Sequence, residues 1–126
     1  MKVEYHELVK QALIDEGWTI TDDPLYVKTP ARTVEIDLAA ERLLTAKRGT
    51  EEIAVEIKSF VGISTLHEFY KALGQFQFYQ FALKKEKSKK ELYLAVPADV
   101  YDVFFSDVFM LEFLSEKVLS IVRNEG

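Results

Sequence analysis

Asp37, Glu56 and Lys58 are the side chains in this 126-residue chain whose types and spacing suit chemistry. Glu56 and Lys58 stand two apart in an alternating run at 52–60, so both leave one face of a strand, roughly 7 Å apart at Cα. Ala54, on the same face, is small and leaves room. Asp37 lies near the end of another alternating segment and faces away from its apolar side. If the two strands pair, Asp37 and Glu56 converge on one ion. Two carboxylates, the backbone carbonyl of Ile57 and waters make the hard-oxygen set that Mg²⁺ (or Mn²⁺) takes. Lys58 beside that ion would orient or help deprotonate a water, or stabilise charge on a scissile phosphate. The expected chemistry is metal-assisted attack of water on a phosphate ester.

These residues need a sheet with helices around it. Residues 4–16 place Tyr5, Leu8, Val9, Ala12 and Leu13 at helical spacing, with Gly17 positioned to end the helix. Residues 18–20 and 25–28 read as short strands around a turn at Asp22-Asp23-Pro24. In 33–38, Val34, Ile36 and Leu38 point one way and Glu35 and Asp37 the other. Further strands are expected at 42–47 and 52–60, joined by a tight turn at 48–50. A long helix follows from about 64 to 85, with Ser64 as N-cap and Glu68 in its first turn. The nearly all-apolar 92–96 reads as a central strand covered on both faces. Residues 98–116 read as helical in one or two pieces, and 117–122 as a last strand. The order is a helix, a β-meander, then α, β, α, β: an α/β (α+β) fold whose mixed central sheet is flanked by helices.

Composition bounds the functions available. There are 16 Lys+Arg against 21 Asp+Glu, a net charge of −5. That opposes a protein that coats nucleic acid by bulk charge, but not one that meets DNA at a small metal-loaded site. Cysteine is absent, which excludes disulfide scaffolds and thiolate zinc sites. The two histidines, His6 and His67, lie far apart and give a histidine-based metal site little support. No run approaches the ~18 apolar residues of a membrane span, and the first ten residues hold no apolar signal core. A cytoplasmic protein with one domain over 1–126 is expected.

Asp37 followed by Glu56-x-Lys58 on a strand resembles the core of the PD-(D/E)xK nuclease superfamily, and the element order resembles its αβββαβ core. Ile36 stands where many members have Pro before the Asp. Gln75 and Tyr79 resemble the Q-x-x-x-Y pair of the RecB-like branch. More closely, the segments ALIDEGWTITDDP, IDLAAERLLTA, IAVEIKSF and LYLAVP resemble the XisH family of excision-controlling factors of the cyanobacterial fdxN element. The resemblance spans about residues 6–122. It implies a restriction-endonuclease-like fold, a role in programmed DNA rearrangement beside a site-specific recombinase, and a small partner protein, XisI. Some superfamily members also place an acid on the first helix facing the metal. Glu4, Glu7 and Glu16 are candidates for that position, and His6 is a further polar side chain at the same end.

Two further features bear on function. Lys84, Lys85, Lys87, Lys89 and Lys90 hold five of the 16 basic residues. They read as a solvated helix end complementing the helix dipole, diluted by Glu86 and Glu91. Thirteen of the 16 aromatics lie between Phe60 and Phe113. On the long helix they occupy more than one narrow stripe, which points to a homo-oligomer or a docked partner. The alternative to an endonuclease is therefore a non-catalytic accessory protein of nuclease fold that docks a partner during element excision.

Overall fold

A computed structural model describes residues 2–60, 65–116 and 120–124, with side chains over 5–60 and 66–113. The first helix, α1 (Lys2–Asp15), ends as Gly17 requires. Gly17 takes φ of +95°, its N–H reaches the Ile14 carbonyl at 3.0 Å, and the Trp18 N–H reaches Leu13 at 3.0 Å. These are the two closing bonds of a Schellman cap. Five strands follow: β1 (Thr19–Asp22), β2 (Leu25–Lys28), β3 (Thr33–Ile36), β4 (Leu38–Thr45) and β5 (Gly49–Ile57). Then come α2 (Thr65–Lys85), β6 (Glu91–Pro97), α3 (Ala98–Val100), a π-helical turn at Tyr101–Phe105, α4 (Val108–Glu116) and β7 (Ser120–Asn124).

The main sheet has the order β1-β4-β5-β6-β7. Its β1–β4 and β4–β5 pairs are antiparallel; β5–β6 and β6–β7 are parallel. A parallel neighbour requires a crossover, and α2 supplies it between β5 and β6. The expected meander, long helix and doubly covered strand are all present. The final strand starts at Ser120, and residues 117–119 of the expected strand lie outside the described residues, as does Ser64, the expected N-cap.

One expectation is corrected. Residues 33–38 are not a single alternating strand. Asp37 interrupts them, β3 pairs with β2 in a separate two-stranded sheet, and β4 begins at Leu38 in the main sheet. Ile36 and Leu38 therefore go to opposite layers. Ile36 packs with Ala54, Leu92, Leu94, Val96 and the α2 residues Phe69, Ala72 and Phe76. Leu38 packs with Ala40, Ile53, Val55, Ala95 and the α1 residues Val9 and Leu13. Alternation counts residues but does not register a kink, which here redirects the chain. The strands expected at 42–47 and 52–60 likewise begin and end earlier, at 38–45 and 49–57. Leu8, counted with the apolar face of α1, is exposed.

Beyond β5 the chain is held by aromatic packing. Phe60 takes φ of +58°, rare for a bulky residue. Its ring meets Phe105 edge-on at 5.6 Å, and Phe105 contacts Phe104 and Phe69 at 5.1 and 5.7 Å. Edge-to-face rings add directional attraction to area burial, so this cluster anchors the segment two residues past Lys58.

The C-terminus of α2 repeats the α1 cap with a different residue. Lys87 and Ser88 N–H groups bond the Lys84 and Leu83 carbonyls at 3.0 and 2.9 Å, and Lys87 takes φ of +59°. A side chain there carries a left-handed penalty that glycine lacks. Lys87→Gly should stabilise the fold by about 0.5–1 kcal/mol. Urea unfolding measures this, and a lower midpoint for the variant would contradict it.

Candidate active site

Three elements meet at the C-terminal end of β5. They bound an open cleft of about 950 Å³ lined by Tyr5 and His6 of α1, Glu35 and Asp37 at the end of β3, Glu56 to Phe60, and Glu68, Lys71, Ala72, Gln75 and Tyr79 of α2. β5 is the strand at which the sheet changes from antiparallel to parallel pairing. The chain leaves its carboxyl end into the crossover, and that opens space above the strand.

Glu56 is the centre of this arrangement. It is 6% exposed and is the one buried charged side chain among the described residues. β5 alternation sends Ala54 and Glu56 toward α2, and Ala54 shares the core between helix and sheet. Asp37 and Glu56 are cross-linked through each other's strands. The Ile57 N–H donates to Asp37 Oδ2 at 2.8 Å, and the Asp37 N–H donates to Glu56 Oε1 at 3.3 Å. The second Glu56 oxygen, Oε2, lies 3.4 Å from Lys58 Nζ. The kink at Asp37 makes this possible, because β4 pairing with β5 stops at Leu38–Val55. The next outward-facing N–H on β5, that of Ile57, is then left for a side chain to satisfy.

Electrostatics follow from burial. The Glu56 pKa is pushed up to about 7, first by desolvation and then by the neighbouring charge of Asp37, with Lys58 opposing. Burial, followed by the charges of Glu56, Asp37 and Glu35, raises the Tyr79 phenol. Tyr79 therefore shares the electrostatic environment of the two carboxylates. Gln75, one turn earlier on α2, lines the same cleft. Asp37, Glu56, Ile57, Lys58, Gln75 and Tyr79, singled out from sequence, thus come together.

The first-helix candidates separate. His6 lines the cleft, whereas Glu7 and Glu16 are exposed and outside its lining. The Glu4 side chain lies outside the described residues. His6 Nε2 donates to Asp23 Oδ1 at 2.9 Å, and Lys10 Nζ donates to Asp23 Oδ2 at 2.8 Å. The Lys10 hydrogen bond, aided by His6, holds the Asp23 carboxyl below its usual range. Asp23, read from sequence as a turn residue, also fixes a cleft histidine. Glu35, Glu68 and Lys71 were not singled out as site residues. Glu35 shares its strand face with Asp37, and Glu68 and Lys71 precede Gln75 by seven and four residues on α2. Helical spacing from Gln75 would have found both.

The donors suit a hard cation. The N–H and C=O of one strand residue leave the same edge, so the Ile57 carbonyl lies on the edge that its N–H shares with Asp37. Asp37, Glu56 and that carbonyl are all oxygen donors of the kind Mg²⁺ takes. Among the described residues no three His, Cys, Asp or Glu side chains group for metal binding. A cation here would complete its shell with the carbonyl, water or substrate oxygens.

The XisH protein family model matches residues 1–125. The chain belongs to the XisH family. Its fold is similar to a crystal structure of an XisH family protein from Nostoc punctiforme PCC 73102, with 40% identity and a TM-score of 0.81. It is equally similar to a crystal structure of an fdxN element excision controlling factor protein from Anabaena variabilis, with 42% identity and a TM-score of 0.81. Each comparison covers 94% of this chain and 88% of the other. No curated protein matches. As in the expectation for the family, a mixed sheet flanked by helices carries the motif residues. No helix among the described residues is long and apolar enough to cross a membrane.

Glu56 links pH to stability. Its pKa is about 7 in the folded chain against 4.5 ordinarily, so the folded state holds its proton more tightly. This contribution is complete below about pH 4.5 and is lost as pH rises through about 7. Asp37, Lys58 and Tyr79 face the same group. In chelator at pH 8, Glu56→Gln should be more stable than wild type by about 1–3 kcal/mol, and the difference should shrink steadily and vanish only below about pH 4.5. Urea unfolding across this pH range checks this; a gap independent of pH would contradict it.

Proposed function

We propose that this chain acts in excision of an fdxN-type DNA element as a divalent-cation-dependent endonuclease of the PD-(D/E)xK type. The observation that carries the reading is the buried Glu56 carboxylate joined to Asp37 and Lys58 at the mouth of the cleft. Its first support is the cost of the arrangement. Structural carboxylates normally stay solvated or fully paired, and one kept buried beside a second at an open cleft suits a site that takes a cation.

Substrate charge supports the same reading. Asp37, Glu56, Glu35 and Glu68 line the cleft against Lys58 and Lys71. Without a cation, the carboxylates would repel a phosphodiester. Mg²⁺ or Mn²⁺ held by Asp37, Glu56 and the Ile57 carbonyl would supply Lewis-acid charge and acidify a bound water. Lys58 would then orient the attacking water and stabilise charge on the phosphoryl oxygens, while Gln75 and Tyr79 position the backbone from α2. In the reaction a water oxygen bonds to phosphorus and loses a proton to solvent, the bond from phosphorus to the leaving deoxyribose oxygen breaks, and that oxygen takes a proton from solvent.

The non-catalytic accessory reading keeps one specific support: the exposed aromatics of α2 and α4, among them Tyr70, Phe78, Phe81 and Phe109. In that reading an XisI-like protein would be the partner, and strand exchange would belong wholly to the recombinase.

A nicking assay separates the two. Purified protein, alone and with an XisI-like partner, is incubated with supercoiled DNA and Mg²⁺ or Mn²⁺. Glu56→Ala and Lys58→Ala should each lower nicking by about 100-fold or more. Mg²⁺ should raise the melting temperature of wild type but not of the Asp37→Asn/Glu56→Gln double variant. Absence of wild-type nicking in every condition, or variants as active as wild type, would leave the accessory reading.

A further inference from the structure

Helix α2 uses one face for the core and a second for the cleft, yet a third is apolar and exposed. At 3.6 residues per turn, Leu66, His67, Tyr70, Gly74, Gln77, Phe78 and Phe81 fall within about a third of the helix circumference, a face that is mostly apolar. Tyr70, Phe78 and Phe81 are 59%, 46% and 61% exposed. A run of exposed aromatics along a helix marks an interaction surface more often than a solvated one.

Gly74 lies in the middle of that face. Glycine weakens a helix interior, so its presence needs a reason. Apart from the helix's own backbone and the adjoining residues, no described atom lies within 4 Å of the position its Cβ would take, so packing demands no glycine there. What it provides is a notch in the exposed surface, with Tyr70 one turn before it and Phe78 one turn after. Knobs placed evenly on both sides of a notch are self-complementary under a two-fold axis through that notch.

Charge points the same way. The C-terminal end of α2 carries Lys84 and Lys85, which fall on the same third of the helix as Tyr70 and Phe81. Beside the N-terminal half lies α4, packed against the same aromatic cluster through Met110 and Phe113, with Phe69 and Phe113 6.3 Å apart. α4 brings Asp107 and Glu112 to that end, and residues 98–116 contain no Lys or Arg. An antiparallel crossing would set the lysines of one copy near the acids of the other and oppose the two helix dipoles.

We propose that this chain forms a two-fold dimer through α2, with the two helices crossing antiparallel at Gly74 and Tyr70 of each copy packing on the partner's Phe78. The occupant of the apolar face is a second copy, because both its shape and its charge are complementary to themselves.

Analytical ultracentrifugation tests the proposal directly. Wild type at about 10 µM should sediment as a dimer, twice 14.5 kDa. Gly74→Leu fills the notch without meeting anything inside the chain, so it should keep its helical circular dichroism and dimerise at least about tenfold more weakly. The chain has no cysteine, so introduced thiols report geometry cleanly. Mixing Tyr70→Cys with Phe78→Cys under mild oxidation should give the mixed disulfide in preference to either homodisulfide; this arm decides the matter if Gly74→Leu does not fold. The proposal is overturned by a monomeric wild type, including one that associates only with a different protein. It is equally overturned by a folded Gly74→Leu dimer as tight as wild type, or by cross-linking without preference for the mixed pair.

Discussion

Placing a carboxylate inside a sheet-helix interface is costly, and much of the local architecture accommodates Glu56. A charged group taken from water needs hydrogen bonds and a counter-charge, or it holds a proton. Glu56 receives the Asp37 N–H on one oxygen and approaches Lys58 Nζ with the other. Asp37 in turn accepts the Ile57 N–H. The reciprocal link ties the end of β3 to the end of β5 just where β4 pairing stops. Because the compensation is incomplete, the Glu56 pKa stays near 7.

The same constraint explains the chain's path around the site. Asp37 can face Glu56 only because the strand breaks there and passes from the small sheet to the main one. Lys58 can stay beside Glu56 because the chain continues into an aromatic anchor, with Phe60 turned into the left-handed region and seated against Phe105. The backbone of α2 runs close to β6 and β3, Ala54 and Ala72 share the core between helix and sheet, and Gln75 and Tyr79 reach the cleft. Burial on both faces of β5 and β6 makes this frame rigid.

A net charge of −5 takes on a local meaning in this setting. Four carboxylates at the cleft oppose two lysines, so part of the acidic excess sits at that one place on the molecule. Lys84 and Lys85 lie in the last turn of α2, where they complement its dipole away from the cleft, and Lys90 beyond it pairs with Glu52 of β5. The net charge of −5 opposes binding nucleic acid through bulk charge alone. An association through α2 would set its exposed aromatics against apolar surface and leave the cleft face of the same helix open.

The order of elements, the long helix, the doubly covered strand and the Asp37/Glu56/Lys58 set are written in periodicity and residue type. A two-residue repeat with Ala, Glu and Lys on one face can be read directly, because strand geometry admits little else. Gln75 and Tyr79 stand out only through their resemblance to the Q-x-x-x-Y pair; helical spacing adds that they share a face. The kink at Asp37 is not legible: Val34, Ile36 and Leu38 keep the alternation, while tertiary packing sends Ile36 to α2 and Leu38 to α1. Nor is the partnership of His6 with Asp23, which joins residues 17 apart across a turn. The depth of Glu56 also comes from packing alone, since Glu-x-Lys reads identically on a solvated strand. Local sequence determines which side chains share a face. Only the tertiary structure decides whether that face meets water, a helix or an ion, because desolvation depends on what the rest of the chain packs above it.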